Sequence, residues 1–499
     1  MDRRDKTIRD LYARLRLLEE KLEFVHDGYG RLKLRFDGIK QECSRLKKEN
    51  QKLSRDYAQL ELKCQTLEKE NTLLRQENSD LKRRLGLNSS NSSKPPSSDG
   101  LAKKPARVQS LRDKGKHKSG GQEGHSGATL ERKEVPDHVV DHVVQFCQNC
   151  GGSLENEEPI PIQSRQVFDI PPAFMEVTEH RTQAKKCSCG HTTQSSFPEG
   201  VNAPCQYGER TQSLAVYLSV CQFIPQDRLQ QVFSDIFGVS IATDTLARFN
   251  KTFANKVAPL QEIVFKDLKA QHVKHADETG FRVGGKTIWL HVLSSNSGTY
   301  YQINPKRGIY IDDVEGILVH DHFSPYYKWK NIMAHSACNA HQLRELVALK
   351  EIEKEPWAFQ AYEVLMSALK ISRMPYGCSK EGLKDLIWNA YDVVMRQGLK
   401  FHENQPSPGK GKEKRKGHNL VLRLINYKED TLRFLTTPGV PFTNNQAEQD
   451  IRMMKVKQKI SGGFRNINDA QDFCTIRGFI STNRKQGNPI FQAIQKATA

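Results

Sequence analysis

From Ile8 to Leu85 apolar residues recur at alternating steps of three and four in one unbroken phase. The seam runs Ile8, Leu11, Leu15, Leu18, Leu22, Val25, Tyr29, Leu32, Phe36 and Ile39, then continues through Leu46, Leu53, Leu60, Leu67, Leu74 and Leu81 at d positions. Asn50, Asn71 and Asn78 fall at a positions, where a buried Asn favours paired, in-register strands at some loss of stability. The spacing predicts a leucine zipper over 1–87, on the order of 115 Å long at about 1.5 Å per residue, and a parallel dimer. Gly28, Gly30 and Gly38 weaken its first third by about 1 kcal/mol each relative to Ala. "LNSSNSSKPPSSDG" cannot continue a helix, so 88–125 is a basic, Ser/Pro-rich linker.

Beyond the linker the periodicity changes. Residues 201–265 have a helical pattern: "SLAVYLSVCQFI" is a buried helix, and "LQQVFSDIFGVSIATDTLARFNKTF" is two helices about a Gly-containing turn. That outline fits either a DNA-binding helix-turn-helix or a helical hairpin of a core. Period-two runs follow at "AQHVKH" and "FRVGG", then at "TIWLHVLSS" and "TYYQI" across an "NSG" turn. "GILVHDHFSPYY" supplies an apolar strand ending at Asp321, and "NIMAHSACNAHQLREL" a fifth strand leading into a helix. Three antiparallel strands followed by two more outline a ribonuclease-H-like sheet over 266–345, in which the first and fourth strands are neighbours. Residues 346–440 form a mostly helical insertion with a basic loop, and 441–499 return to the catalytic core as helices. The fold class is thus multidomain α+β.

Composition narrows the function. No stretch of the 499 residues approaches the roughly 20 apolar positions of a membrane span, and "MDRRDKTIRD" is no secretory signal, so a cytoplasmic protein is expected. The formal charge of +18 concentrates in "KKPARVQSLRDKGKHK" and "GKGKEKRKGH", an electrostatic footprint for a polyanion. Eleven cysteines in such a chain do not suggest a disulfide framework. Within a module over 126–200, Cys147 and Cys150 form a C-x2-C knuckle, and Cys187 and Cys189 of "KKCSCGH" can close a tetrahedral Zn2+ site at about 2.3 Å per sulfur, with His191 as a spare ligand.

The chemistry turns on acidic residues in places that disfavour them. Carboxylates are poor strand residues, yet "HADETGF" sets Asp277 between two strand-like runs. If the first and fourth strands are neighbours, Asp277 and Asp321 lie side by side, and two carboxylates so close repel unless a cation neutralises them. Hard oxygen ligands select Mg2+ or Mn2+. In "FTNNQAEQDIRMMKVKQKISGGFRN", Asn444 or Asn445 caps a helix, Glu448 lies in its first turns as a third ligand, Arg452 lies one turn on, and Asp450 points elsewhere. The histidines of "HDHF" do not meet a His-hydrophobic-His nuclease motif, because Asp321 between them is polar. His335, Cys338 and His341 of "HSACNAH" are metal-capable, although a buried strand-to-helix junction accounts for them as well.

The ordered set "NSSKPPSSD", "GGQEGHSG", the C-x2-C and C-x-C knuckles, "HADETGFRV", "HDHFSPY", "CNAHQLREL" and "NNQAEQDIR" resembles transposases of the insertion sequence 66 family, from about residue 86 to 485. The upstream coiled coil is similar to that family too. His322 stands where the family usually has a small residue, and "CNAH" replaces a more usual Cys-Trp-Ala-His. The resemblance implies a bacterial, nucleoid-associated DDE-type transposase that cuts and joins DNA at its element's terminal inverted repeats, with accessory proteins of that element. It carries the triad over as Asp277, Asp321 and Glu448, with Asp277 and Asp321 bridging two Mg2+ ions about 3.5 to 4 Å apart and Glu448 completing one site. Lys103, Lys104, Arg107, Arg112 and Lys114 of the linker, with Arg344 and Arg452 nearer the carboxylates, are the candidate DNA contacts; His341 is a further phosphate contact to consider. A homodimer or higher oligomer through the zipper is expected. The competing class is a non-catalytic, dimeric, zinc-containing DNA-binding regulator or a decayed transposase, which has no use for the three carboxylates.

Overall fold

The computed structural model describes residues 3–87, 91, 130–158, 164–171, 173–308, 311, 313–374, 380–405 and 414–499. Lys103, Lys104, Arg107, Arg112 and Lys114, with "GGQEGHSG" and all of "NSSKPPSSD" after Asn91, lie outside these residues, as does the first half of the "GKGKEKRKGH" run. The chain divides into two compact units, Met1–Leu87 and Asn88–Ala499. Among the described residues no helix is long and apolar enough to cross a membrane.

The first unit is one helix, α1 (Arg3–Gly86), unbroken for 84 residues. It continues through Gly28, Gly30 and Gly38, whose weak propensity lowers stability without ending a helix this long. All sixteen seam side chains from Ile8 to Leu81 are exposed.

In the second unit, strands β1 (Ala184–Lys186) and β2 (Thr192–Gln194) pair antiparallel. Helices α2 (Glu209–Val216), α3 (Gln226–Phe237) and α4 (Thr243–Ala270) follow. Gly238 ends α3 at φ 68°, a left-handed cap that a glycine adopts without strain. Leu229, Phe233, Ile241, Leu246 and Phe253 are buried in the same core as the sheet, so α3 and α4 form a core hairpin.

The sheet has five strands: β3 (Val273–Val283), β4 (Lys286–Ser294), β5 (Thr299–Asn304), β6 (Ile317–His320) and β7 (Ala334–Ala337). Their order is β5-β4-β3-β6-β7. β3, β4 and β5 pair antiparallel, whereas β6 runs parallel to β3 and β7 parallel to β6. The first and fourth strands of the sheet are therefore adjacent. Gly316 (φ +72°) opens β6 where a Cβ would lie 2.5 Å from His272 O, which lets the Ile317 amide reach that carbonyl at 2.8 Å.

Strand alternation divides the sheet between two cores. Phe281, Val283, Leu290, Val292 and Tyr301 join the core built by α2 to α4 and by α10 (Asn445–Ser461), α11 (Ile467–Lys485) and α12 (Ile490–Thr498). Ala276, Leu293 and Leu318 face the smaller cluster with Tyr326, Trp329 and Leu268. Between β7 and α10 come α5 (Asn339–Ala348), α6 (Pro356–Ser372), α7 (Lys380–Glu403), α8 (Lys416–Asn426) and α9 (Lys428–Thr436), which pack around Trp357, Leu365, Tyr391 and Leu432 in a third core.

α10 and α11 are fixed to the sheet by a buried ion pair. Asp450 Oδ2 meets Lys485 Nζ at 2.8 Å and accepts from Ser294 Oγ at 2.6 Å and Thr299 Oγ1 at 3.2 Å, while Ser481 Oγ donates to Oδ1 at 3.1 Å. Tyr301 OH donates to the Asp450 carbonyl at 2.9 Å. Lys485 also donates to the carbonyls of Ser295 and Gly298. Burial pushes the Lys485 amine below the usual lysine range, and Asp450 opposes that shift. Both side chains are about a tenth exposed, so a neutral Asp450→Asn leaves a buried cation uncompensated. The expected loss is about 3–5 kcal/mol of unfolding free energy. A denaturant titration returning less than about 1 kcal/mol, the range of surface pairs, would show that the pair is not an anchor.

Candidate active site

The sheet register brings the acidic residues together. β3 and β6 pair as Val273 with Ile317, Lys274 with Leu318 and His275 with Val319. Continued two residues further, that parallel register sets Asp277 level with Asp321, with both side chains on the face that His275 and Val319 share. β6 and β7 pair up to His320 with Ala337, so the next step sets Asp321 level with Cys338. Three neighbouring strands thus present Asp277, Asp321 and Cys338 in a row where β6 and β7 end, the usual position of ligand sites in parallel sheets. "HADETGF" is neither a strand end nor a turn: it lies inside the eleven residues of β3.

Glu448 reaches this row from α10. Asn444 is the N-cap residue, yet its side chain makes no capping bond, contrary to the capping expected from the sequence. It turns back to β3 instead: Oδ1 accepts from His275 Nδ1 at 2.9 Å and Nδ2 donates to Ala276 O at 2.8 Å. Its amide donates to Cys338 Sγ at 3.2 Å, and its carbonyl accepts the Glu448 amide at 3.2 Å. Cys338 in turn donates to Glu448 Oε1 at 3.6 Å. Asn444 therefore sets α10 against β3 within two residues of Asp277. Sequence reasoning missed this, because a helix-starting Asn has a sufficient local explanation.

The electrostatics follow from the crowding. Burial pushes the Asp277 carboxyl well above the usual range, and the charges of Asp321, Glu278 and Glu448 push it further. The one interaction favouring its ionised form is the Glu278 amide, 2.9 Å from Oδ1. Glu278 itself is sequestered on the other side of the strand, accepting from Tyr326 OH at 2.5 Å and from Arg307 at 2.9 and 3.1 Å. Oxygen donors whose mutual repulsion no neighbouring side chain offsets fit a hard divalent cation.

The histidines divide by face. His341, in the first turn of α5, lies with Nδ1 3.8 Å from Glu448 Oε1, and burial together with Arg344 lowers its pKa. His335 faces away from Cys338 and meets His320 Nε2 at 3.0 Å, so His335, Cys338 and His341 are not one cluster. Among the described residues, the metal-capable set with ligand atoms all within 4.8 Å of one another is Cys338, His341 and Glu448. His322 adopts φ 68°. Gln342 Nε2 donates to its Nε2 at 3.0 Å, and its Nδ1 lies 2.7 Å from Tyr327 OH, which donates to Asp430 at 3.0 Å. That chain of hydrogen bonds holds His322 in its left-handed conformation. Asn339 is fully buried and donates to Thr431 O at 2.9 Å. Arg344 is half-buried and Arg452 exposed.

Each cysteine pair sits in its own turn. Gly151 N donates to Cys147 O and Gly190 N to Cys187 O, both at 2.9 Å. Amides of Cys150 and Asn149, with the Cys150 thiol, lower the Cys147 pKa; the amide and thiol of Cys189 and the hydroxyl of Ser188 do so for Cys187. Thiols biased toward thiolate fit Zn2+, although the two pairs are not gathered into one ligand cluster. His191 is exposed, and its carbonyl accepts the Cys187 amide at 2.8 Å.

A family model described as "Transposase IS66 family" matches residues 204–472. Another, "zinc-finger binding domain of transposase IS66", matches 145–190, and a family of unknown function matches 41–131. An uncharacterized protein of Sinorhizobium fredii (strain NBRC 101917 / NGR234), y4jO, is 30% identical over 121 residues, 21% of this chain and 36% of that protein. The match thus spans about a third of that relative's length.

Asp277 gives a pH signature. Between the ordinary Asp value of 3.8 and the raised native value, the folded chain retains a proton at Asp277 that the unfolded chain has lost. In EDTA, stability should therefore fall as pH rises above about 4 toward the raised native value. Asp277→Asn removes that part of the slope and is the more stable protein at neutral pH. Parallel stability profiles for the two proteins would contradict the crowding.

Proposed function

We propose that this chain, which belongs to the IS66 family of transposases, is a DNA strand-cleaving and strand-joining enzyme that uses Asp277, Asp321 and Glu448 at the terminal inverted repeats of an insertion sequence. The observation that carries the reading is the convergence of three mutually repelling carboxylates from β3, the end of β6 and the first turn of α10. The strand order, with three antiparallel strands and two parallel ones beside the first, supports a ribonuclease-H-like core.

Asp277 and Asp321 would hold two Mg2+ (or Mn2+) ions between them, and Glu448 would complete one site. When bound, such ions activate water or a freed 3′-OH and stabilise the leaving oxygen of an in-line displacement. The chain's own contribution is positional. Asn444 fixes the distance between the Glu448 helix and Asp277, and Arg307 and Tyr326 keep Glu278 out of the site. Arg344 and the exposed Arg452 would contact phosphate, and His341, kept neutral by burial, would serve as a hydrogen-bonding group. A two-metal displacement needs no protein–DNA covalent bond, and the Cys338 thiol, buried, pushed up to about 12 and tied between Glu448 and the Asn444 amide, is not poised as a nucleophile.

Cys147, Cys150, Cys187 and Cys189 would bind Zn2+ once the two knuckles close on one ion. A match to a zinc-finger family over 145–190 supports this. The exposed seam of α1 supports a parallel homodimer, since sixteen apolar side chains on one helix have no partner within it.

The test is Mg2+-dependent cleavage of labelled DNA carrying the element's ends. Wild type should release a 3′-OH end in Mg2+ and not in EDTA. Asp277→Asn should lose at least about a thousandfold in rate, roughly 4 kcal/mol, with DNA affinity within a few fold. Cleavage by Asp277→Asn at the wild-type rate would overturn the assignment, and binding without cleavage would favour a regulator. In sedimentation the same preparation should run at twice the chain mass; a monomer at micromolar concentration would contradict the zipper.

A further inference from the structure

Outside the three carboxylates, one group of side chains has the shape of a metal site of another kind. Cys338 Sγ lies 3.6 Å from Glu448 Oε1, and His341 Nδ1 lies 3.8 Å from the same oxygen. All three ligand atoms fall within 4.8 Å of one another. Tetrahedral zinc with bonds of about 2.0–2.3 Å needs ligands roughly 3.3–3.8 Å apart, so two of the three edges already have that length. The His341 Nδ1 atom is buried without a hydrogen-bond partner. Cys338 and His341 stand in C-x2-H spacing where β7 turns into α5, and Glu448 comes from the first turn of α10, so two separate helix starts aim their ligands at one point. The positive ends of these helices oppose a cation weakly. A sulfur, nitrogen and oxygen set with a fourth position open is a poor site for Mg2+ and a good one for Zn2+.

We propose that Cys338, His341 and Glu448 form a thiophilic divalent-cation site for Zn2+, next to and sharing Glu448 with the carboxylate cluster. Binding forms one bond each to Cys338 sulfur, His341 Nδ1 and a Glu448 oxygen, and the Cys338 thiol proton passes to solvent. Glu448 is then withdrawn from Asp277 and Asp321. Zinc, which the knuckles also attract, becomes a competitor of Mg2+. The binding stands on the cluster alone, whereas the competition rests on the proposed function.

Co2+ serves as the probe, in the full-length protein with all knuckle cysteines retained. Titration followed by thiolate-to-cobalt charge-transfer absorbance, with Zn2+ back-titration, should give one more equivalent per chain in wild type than in Cys338→Ser or His341→Gln. His341 is a fifth or so exposed on the first turn of α5, so its variant carries the test if Cys338→Ser fails to fold. Equal stoichiometry and equal absorbance in wild type and in every folded variant would overturn the site. In the Mg2+ cleavage assay, with each protein's rate taken relative to its own zinc-free rate whatever His341→Gln does to that rate, one added Zn2+ equivalent beyond the knuckle requirement should slow wild type at least tenfold and His341→Gln by less than twofold. Equal slowing of both would overturn the competition. A protein that binds the extra Co2+ but cleaves in no metal would retain the site and remove the proposed function.

Discussion

Carboxylates brought together on one face of a sheet repel, and a fold can keep them there only if neighbouring contacts resist the repulsion. Asp277 is the point of greatest stress, since burial and the charges of Asp321, Glu278 and Glu448 all act against its ionised form. The contacts that hold the group are mostly neutral. Asn444 ties α10 to His275 and Ala276 of β3 and to Cys338 at the end of β7, and its carbonyl begins the turn that carries Glu448. An acidic cluster held by neutral hydrogen bonds has no cation of its own within the fold, which is the condition for attracting one from outside.

A second level of support lies about half a helical turn away. Glu448 and Asp450 are two residues apart on α10 and so point in different directions, one into the open row and the other into the core. Asp450 is paired with Lys485 and ringed by hydroxyls from β4, β5 and α11, so the helix is locked in rotation as well as position. Two acidic residues on one helix thus have opposite fates: one is neutralised by a lysine, and the other is left without a cation of its own. The intervening helices α5 to α9 have their own core and return the chain beside β7, so a long insertion need not disturb the spacing of the three acids.

Much of this arrangement was legible in the sequence. Period-two runs and turn residues gave five strands, and the neighbouring first and fourth strands bring Asp277 level with Asp321. The zipper periodicity gave one helix through three glycines. Asp450 was correctly expected to point away from Glu448. What was not legible depends on contacts between residues far apart in the chain. Asn444 had a local explanation as a cap, and its actual partners lie near residue 275. Cys338 and His341 invited grouping with His335 by proximity in sequence, but alternation along β7 sends His335 to the opposite face and Glu448 takes its place. Nor was the left-handed backbone of His322 legible, since its φ of 68° is held by partners as distant as Gln342 and, through Tyr327, Asp430.

The central claim is that Asp277, Asp321 and Glu448 form one divalent-cation site, and it is tested most directly by Mn2+ binding rather than by turnover. The full-length protein, its knuckles preloaded with Zn2+, would be titrated with Mn2+ while the electron paramagnetic resonance signal of the free ion is followed. The account predicts that wild type sequesters Mn2+, that Mg2+ displaces it, and that Asp277→Asn and Glu448→Gln each lose at least about tenfold in affinity, some 1.4 kcal/mol. Binding of equal strength in wild type and both variants, or none in wild type, would contradict it.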